Sequence, residues 1–590
     1  MRGRLLLAAV VVVAVLPMTV RGTPCGADFD FHLQNWLELA RSWHDGVAYP
    51  SWDASANFGT GEPRFVFYPP VSRVLGATLG IAMPWRWTPL VFVALALGAA
   101  GWAFRRMAMR LGAGETAATL GACLYVANPY LMFLIYERGA LAELLAAVWM
   151  PLLVEQSTEL RAQSSGTAER RRVAALGLVV ALLWLTDAPA AVMGCYLLAV
   201  LAAVRAGMER RWAPAVRAAG GLALGAGLAA FWMVPAVAEQ RWVEIWRAVG
   251  PLMRVEDSFP FHTLRLTGAP AYPAEPGDLV YYNAVLHAVS WIVGALMVAA
   301  AVAAWAAWKK RNAAWLPLTA AAGVACMLQL CWSEPVWRAA PELAYVQFAW
   351  RWMLVLGMAV AALAAMAMGR GRWPQRARWM GAVMALVFAG AMAAVAGRIW
   401  WQPCEAGDSV PDQVAALATT GTEGTDEYIP TPAEQDAVPV GVPTCRVLRG
   451  VDDEDAAMSG DETWTPDAAA EIPADVEVTR WGVQDRRVTV TAQQAGFAVL
   501  RLMAYPAWRV TRNGAELRAG TPRRDGLIAI PVAAGVNRIT VEWRTTGDVW
   551  AGRGISAAAL AVTLALGWKK RRKRPGEHDR NADRRQSDFA

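Results

Sequence analysis

"RGRLLLAAVVVVAVLPMTVRGTPCGADFDFHLQNW", residues 2–36, places an uncharged apolar run directly before a cluster of titratable side chains. Residues 5–20 approach membrane-spanning length, with Arg2 and Arg4 ahead of them. No small-x-small cleavage site follows, so the run reads as an uncleaved signal anchor. That reading puts Asp28, Asp30 and His32 just beyond the membrane on its outer side. Ionisable groups beside hydrocarbon are costly, so such a cluster usually has a task.

Outward from that stretch the same pattern recurs. The chain has 590 residues, 56% hydrophobic and only 18% charged, which is too apolar for a soluble protein of this size. Further spans are expected at 89–104, 117–136, 141–155, 173–185, 188–204, 218–237, 284–308, 313–330, 352–368, 380–396 and 555–568. With about twelve spans in all, the basic stretches "FRRMAMR", "ERRR", "RAGMERR", "KKRN", "GRGRWPQRAR" and "KKRRKR" all fall in the cytoplasm, with both termini. The net charge of +7 follows this loop pattern and does not suggest nucleic acid. Residues 71–85 are left over. Counting them as a span would turn Arg105 and Arg106 outward, so they read as a helix lying on the membrane surface.

The expected organisation is a polytopic α-helical membrane protein with a β-sandwich-like external domain before its last helix. Its parts are an anchor (1–20), a first external loop (21–70), a multi-helix membrane region (71–399), an external β-rich domain (400–549), the last helix (550–568) and a basic tail (569–590). In the β-rich part "RVTVTA", "FAVLRL", "WRVTR", "LIAIP" and "NRITVEW" alternate with period two. The turns "NG" at Asn513–Gly514 and "AAG" at 533–535 read as hairpins. Seven cysteines are too few for a disulfide scaffold, but Cys404 and Cys445 share the external domain and are candidates to pair. The acidic "GTEGTDEYIP", 421–430, reads either as a solvated linker or as a lid over the active cleft.

In the first loop, "FHLQNWLELARSWHDG" has helical spacing and ends at Gly46. Asp28 and Asp30 would precede that helix, where a carboxylate can cap it. Capping accounts for one of them, not for both together with His32.

These residues resemble a family. A signal anchor, then a loop opening with Asp-x-x-x-His and closing through "YPSW" and "FYPP", looks like the GT-C superfamily of membrane glycosyltransferases, which use polyprenyl-phosphate-linked sugars. Within it the chain is similar to bacterial membrane proteins carrying a 6-pyruvoyl-tetrahydropterin synthase-related domain. "NPY", "YERGALAELLA", "FWMVPAVAEQRW" and "YVQFAWRW" resemble later blocks of that group. The pterin name implies no pterin chemistry here, because such a synthase needs zinc on three histidines. The chain has five, His32, His44, His262, His287 and His578, with no His-x-His pair.

The resemblance implies an acidic residue at the start of the first loop, sometimes with a divalent metal, and Asp28 matches that position. Asp30 makes an Asp-x-Asp, capable of holding Mg²⁺ or Mn²⁺, and His32 is spaced to orient the Asp28 carboxylate. Glu137 and Glu143 emerge on the same outer side and are candidates to complete the acceptor or metal site, or simply to solvate two helix ends. Arg138 is placed to face phosphate. Arg351, with Gln347 one turn earlier, is either a snorkelling cation in an aromatic belt or a grip on the lipid phosphate. Asp187, in "LTDAP", reads as a helix cap. No Walker motif, nucleotide-binding glycine pattern or hydrolase elbow is present, so no nucleotide cofactor is expected.

The expected activity is inverting transfer of a sugar from a polyprenyl-phosphate donor to a glycan or protein acceptor at the outer face of the cytoplasmic membrane. The competing readings are a lipid-linked glycan flippase, which would hold its acids near the bilayer midplane, and a non-catalytic envelope protein that binds glycan.

Overall fold

The opening apolar run forms the helix Arg2–Arg21, and its residue spacing decides what it packs on. Val10, Ala14 and Met18, four apart, are buried, whereas Leu5, Val12, Leu16 and Val20 stay exposed. One stripe therefore faces protein and the opposite one is free to face lipid. The computed structural model describes residues 2–158, 166–250, 252–263, 276–310, 312–371, 373–433, 440–450, 471–517 and 523–567. The expected basic tail, 569–590, lies outside the described residues.

Among the described residues nine helices are long and apolar enough to cross a membrane, and ten if the bent pair Trp315–Leu328 and Cys331–Ala339, turned by 94°, is one span. Two of the twelve expected spans take another form. Residues 141–155 divide into Leu141–Ala146 and Trp149–Thr158, each too short to cross and both buried among their neighbours. All but the last residue of 173–185 falls within Thr167–Trp184, whose first turns carry Glu169 and three arginines. The leftover stretch is the helix Pro70–Ala82. It lies on the loop helix Phe29–His44 so closely that a Cβ on Gly76 would fall 2.1 Å from the Trp36 ring.

Eight strands follow: β1 (Cys445–Leu448), β2 (Ala474–Trp481), β3 (Asp485–Ala492), β4 (Gly496–Met503), β5 (Trp508–Arg512), β6 (Ala515–Leu517), β7 (Leu527–Val532) and β8 (Gly535–Trp543). They build two antiparallel sheets, ordered β1-β4-β7 and β2-β3-β8-β5-β6. Asn513 and Gly514, at φ 50° and 82°, turn β5 into β6 as a hairpin, as their types predict. The second expected hairpin is corrected. Residues 533–535 carry the chain from one sheet to the other, because β7 pairs with β4 while β8 pairs with β3 and β5.

The β-domain is not a separate body. Val488, Val490, Ile539 and Val541 of one sheet and Ala498, Leu500, Ile528 and Ile530 of the other share a buried cluster with Trp52 and Phe67 of the first loop and Trp232 of a membrane helix. Trp52 meets Trp508 edge to face at 5.3 Å and lies 5.9 Å from the Tyr505 ring.

Two further expectations change. Cys404 pairs with Cys25, not with Cys445, which is buried and free. Residues 421–430 are not a loose linker. Thr422 donates to the Ser55 carbonyl and Thr425 to the Glu62 carboxylate, fixing the segment to the first loop, while the Glu244 amide donates to the Ile429 carbonyl from the chain after the helix Ala213–Ala238. A Cβ at Gly424 would collide with the Asn57 side chain, so the contact is as close as backbone allows.

Candidate active site

The first loop reaches the membrane helices through two glycines. A Cβ on Gly26 would lie 2.4 Å from the Glu137 carbonyl oxygen, and one on Gly139 would lie 2.8 Å from Phe29. Gly139 also turns the chain at φ 64°, ending the wide helical turn Leu134–Arg138. Bare backbone against bare backbone lets the Asp28 amide donate to the Arg138 carbonyl at 2.8 Å. The side chains then meet: Arg138 Nη2 donates to Asp28 Oδ1 at 2.9 Å and to Oδ2 at 2.8 Å.

Asp28 stands at the start of the loop helix but its side chain caps nothing. Its carboxylate is held by a guanidinium whose side chain is 8% exposed, while the Asp28 side chain is 31% exposed. A charge-assisted pair that is closed behind and open in front leaves a carboxylate fixed in orientation yet reachable. Arg138 is thus committed to Asp28 rather than standing free for phosphate, and its charged end lies 5.1 Å over the Phe348 ring.

Arg351 lies 5.0 Å over the same ring. Its Nε is 3.2 Å from Glu143 Oε2, and Tyr130 donates its hydroxyl to Glu143 Oε1 at 2.5 Å. Arg351 also donates to Gln347 Oε1 at 2.9 Å, so the two residues share a face as expected. They meet through the turn at Gln347, φ 64°, rather than along a helix. Glu137 accepts from Gln402 at 2.7 Å, two residues before the Cys404 that is bound to Cys25. The disulfide and this hydrogen bond tie both sides of the Asp28 segment to one short connection.

His32 does not orient Asp28. Its Nδ1 is 2.9 Å from the Tyr68 hydroxyl, and burial pushes its pKa down to about 4. The neutral ring shares one hydrogen bond with the Tyr68 hydroxyl there, its direction set by the tautomer. Tyr68 in turn lies within electrostatic reach of Asp28, Asp187 and Arg73. Asp30 sits in the first turn of the loop helix, its pKa raised mainly by burial and then by Asp408 and Asp28.

At the expected Asp-x-Asp, Asp28 is paired with Arg138 and Asp30 lies in the first turn of the loop helix. Both Asp28 oxygens are taken by Arg138, and no three His, Cys, Asp or Glu side chains converge among the described residues.

Sequence reading missed two features. Asp187 caps its helix by accepting from the Ala190 amide at 2.8 Å, as expected, yet it also comes within electrostatic reach of Arg351 and Asp28. A fully buried network of Asp53, Glu62 and Arg64 lies beneath the loop helix, with Arg64 Nε 2.6 Å from Glu62 Oε1 and Nη1 3.5 Å from Asp53 Oδ2. The charges in "SWDASANFGTGEPRF" were the available signal, but a glycine-rich loop gives no periodicity by which to place them.

The family described as 6-pyruvoyl-tetrahydropterin synthase related domain, membrane protein, matches residues 65–401. No curated protein matches the sequence. Solved structures similar to this chain include the cryo-EM structure of the arabinofuranosyltransferase AftD from Mycobacteria, at 14% identity and a TM-score of 0.44, covering 92% of this chain and 57% of that one. They also include the apo oligosaccharyltransferase of Archaeoglobus fulgidus, at 12% identity and a TM-score of 0.38, covering 73% and 62%. The chain thus spans less than two thirds of the length of either.

Proposed function

The chain belongs to the family of membrane proteins with a 6-pyruvoyl-tetrahydropterin synthase related domain, and from that premise we infer that it is an inverting GT-C-type glycosyltransferase. It moves a sugar from a polyprenyl-phosphate carrier to an acceptor on the outer face of the cytoplasmic membrane. The observation that carries this reading is Asp28, a reachable carboxylate at a helix start, unused as a cap and oriented by a buried arginine.

In the step proposed, the acceptor oxygen attacks the anomeric carbon and the bond from that carbon to the phosphate oxygen breaks. The acceptor proton passes to Asp28, and the lipid phosphate departs with the bonding pair. A positioned base contributes about 10²–10⁴-fold to such a step. Arg351, steadied by Glu143 and Gln347, is the cation nearest in role to the leaving phosphate. Arg138 keeps Asp28 aimed, and Glu137 and Glu143 border the acceptor side. No step is routed through a metal.

The flippase reading is less well supported. Asp28, Glu137, Glu143 and Asp187 all stand at helix ends or within a first turn, not midway along a span. Purified protein supplied with a panel of polyprenyl-phosphate sugars should release lipid phosphate only with its true donor. Release by none of them, with the protein folded, would overturn the assignment.

A further inference from the structure

Arg73 is a buried cation that forms no ion pair among the described residues, with the Tyr49 hydroxyl and Asp53 within electrostatic reach. It sits on the helix Pro70–Ala82 at 0% exposure, and Nε, Nη1 and Nη2 all lack a hydrogen-bond partner. Its surroundings are aromatic: the guanidinium lies 4.3 Å over Phe65 and 5.1 Å over Tyr49. Each such contact compensates a buried charge only in part. Burying an unpaired charge costs several kcal/mol even after relaxation. Aromatic faces alone therefore leave the group under-compensated, and the missing partner is an anion.

The surroundings say where that anion comes from. Tyr49 is 38% exposed and covers the guanidinium from a loop that follows Gly46, at φ 82° and with nothing within 4 Å of its added Cβ. Its ring packs edge to face on Phe231 of the membrane helix Ala213–Ala238, at 6.0 Å. The Tyr49 hydroxyl feels both Arg73 and Arg553, and Arg553 is exposed near the start of the last span, Gly547–Gly567. The Tyr49 hydroxyl thus has two guanidinium groups within electrostatic reach, near the start of the last apolar helix.

We propose that Arg73, with Tyr49 as a movable cover and Arg553 at the rim, binds a phosphate group at the membrane edge. The site takes a tetrahedral oxyanion because the guanidinium fork offers several donors at once and Arg553 supplies a second charge. It does not rest on the sugar-transfer reading, since none of these three residues touches Asp28.

The test uses the full chain in phosphatidylcholine nanodiscs and reads the thermal unfolding midpoint with added inorganic phosphate or farnesyl phosphate. Wild type should be stabilised by at least one of the two, and Arg73→Met should lose that stabilisation entirely. Stabilisation by inorganic phosphate identifies a free-ion site, and stabilisation by farnesyl phosphate alone identifies a lipid-borne one. Arg73→Lys, which keeps the charge, should retain a reduced shift should Arg73→Met not fold. The proposal is overturned if neither probe shifts wild type, or if the shift survives in the variants without a cation at this position. Asp28→Asn should keep the phosphate shift whatever its effect on transfer, which separates this site from the catalytic proposal.

Discussion

Asp28 leaves its helix uncapped and spends its carboxylate on Arg138, and that choice separates a base from a cap. Asn caps helices about as well as Asp, so a cap would survive Asp28→Asn. The expected outcome is instead normal protein level in the membrane with sugar transfer reduced by about 10²-fold or more, measured as lipid-phosphate release. Transfer near the wild-type rate would return the search to Glu137 or Glu143. His32 allows a second test at this scale. Its folded pKa, about 4, lies below the ordinary histidine value of 6.5, so the unfolded chain binds more protons in between. Stability is then fully present above about pH 6.5 and is lost as pH falls through about 4, by at most about 3 kcal/mol. Thermal unfolding at pH 7 and pH 4.5 should show a drop in wild type that His32→Asn lessens. Equal drops in both would mean that other groups carry the acid sensitivity. At this scale the sequence identified the charged residues by their position beside apolar runs. It did not pair them, because Asp28 and Arg138 are 110 residues apart and meet only where Gly26 and Gly139 let two backbones touch.

Elements were readable where periodicity was strong. The apolar runs became helices, and the alternating runs became β3, β4, β5, β7 and β8. The "NG" turn was readable because two residues in the left-handed region leave few choices. The "AAG" turn was not, since three small residues serve equally for a hairpin or for a crossing between sheets. Cysteine pairing failed for a related reason: proximity in sequence suggested Cys404 with Cys445, whereas the fold brings Cys25 and Cys404 together across 379 positions. That pairing gives a test of sidedness. After reduction, a membrane-impermeant thiol reagent applied from outside should label Cys25 and Cys404 but not the buried Cys445. Labelling of that pair only from the cytoplasmic side would invert the proposed topology.

Across the whole molecule, the first loop is the joint between membrane helices and β-domain. Trp52 belongs to the β-domain's core, and Arg64 binds Glu62 and Asp53 while also facing Gln34 of the loop helix at 3.3 Å. Removing that one cation strands two buried carboxylates, at a cost of about 3–5 kcal/mol. Arg64→Met should therefore lower the unfolding midpoint markedly and expose the segment around residues 400–450 to protease. An unchanged midpoint and digestion pattern would mean that the network does not hold the joint. From the sequence alone came the membrane class, most of the helices, the β-rich region before the last span and the candidate acids of the first loop. These follow from composition and local period, which act within one or two turns of chain. Only the tertiary structure decided which charges pair, which cysteines join, that 421–430 is hydrogen-bonded to its neighbours, and that Arg73 is buried outside any ion pair among the described residues. Those outcomes depend on close approach between segments hundreds of residues apart, and the local pattern of a sequence carries no record of such distances.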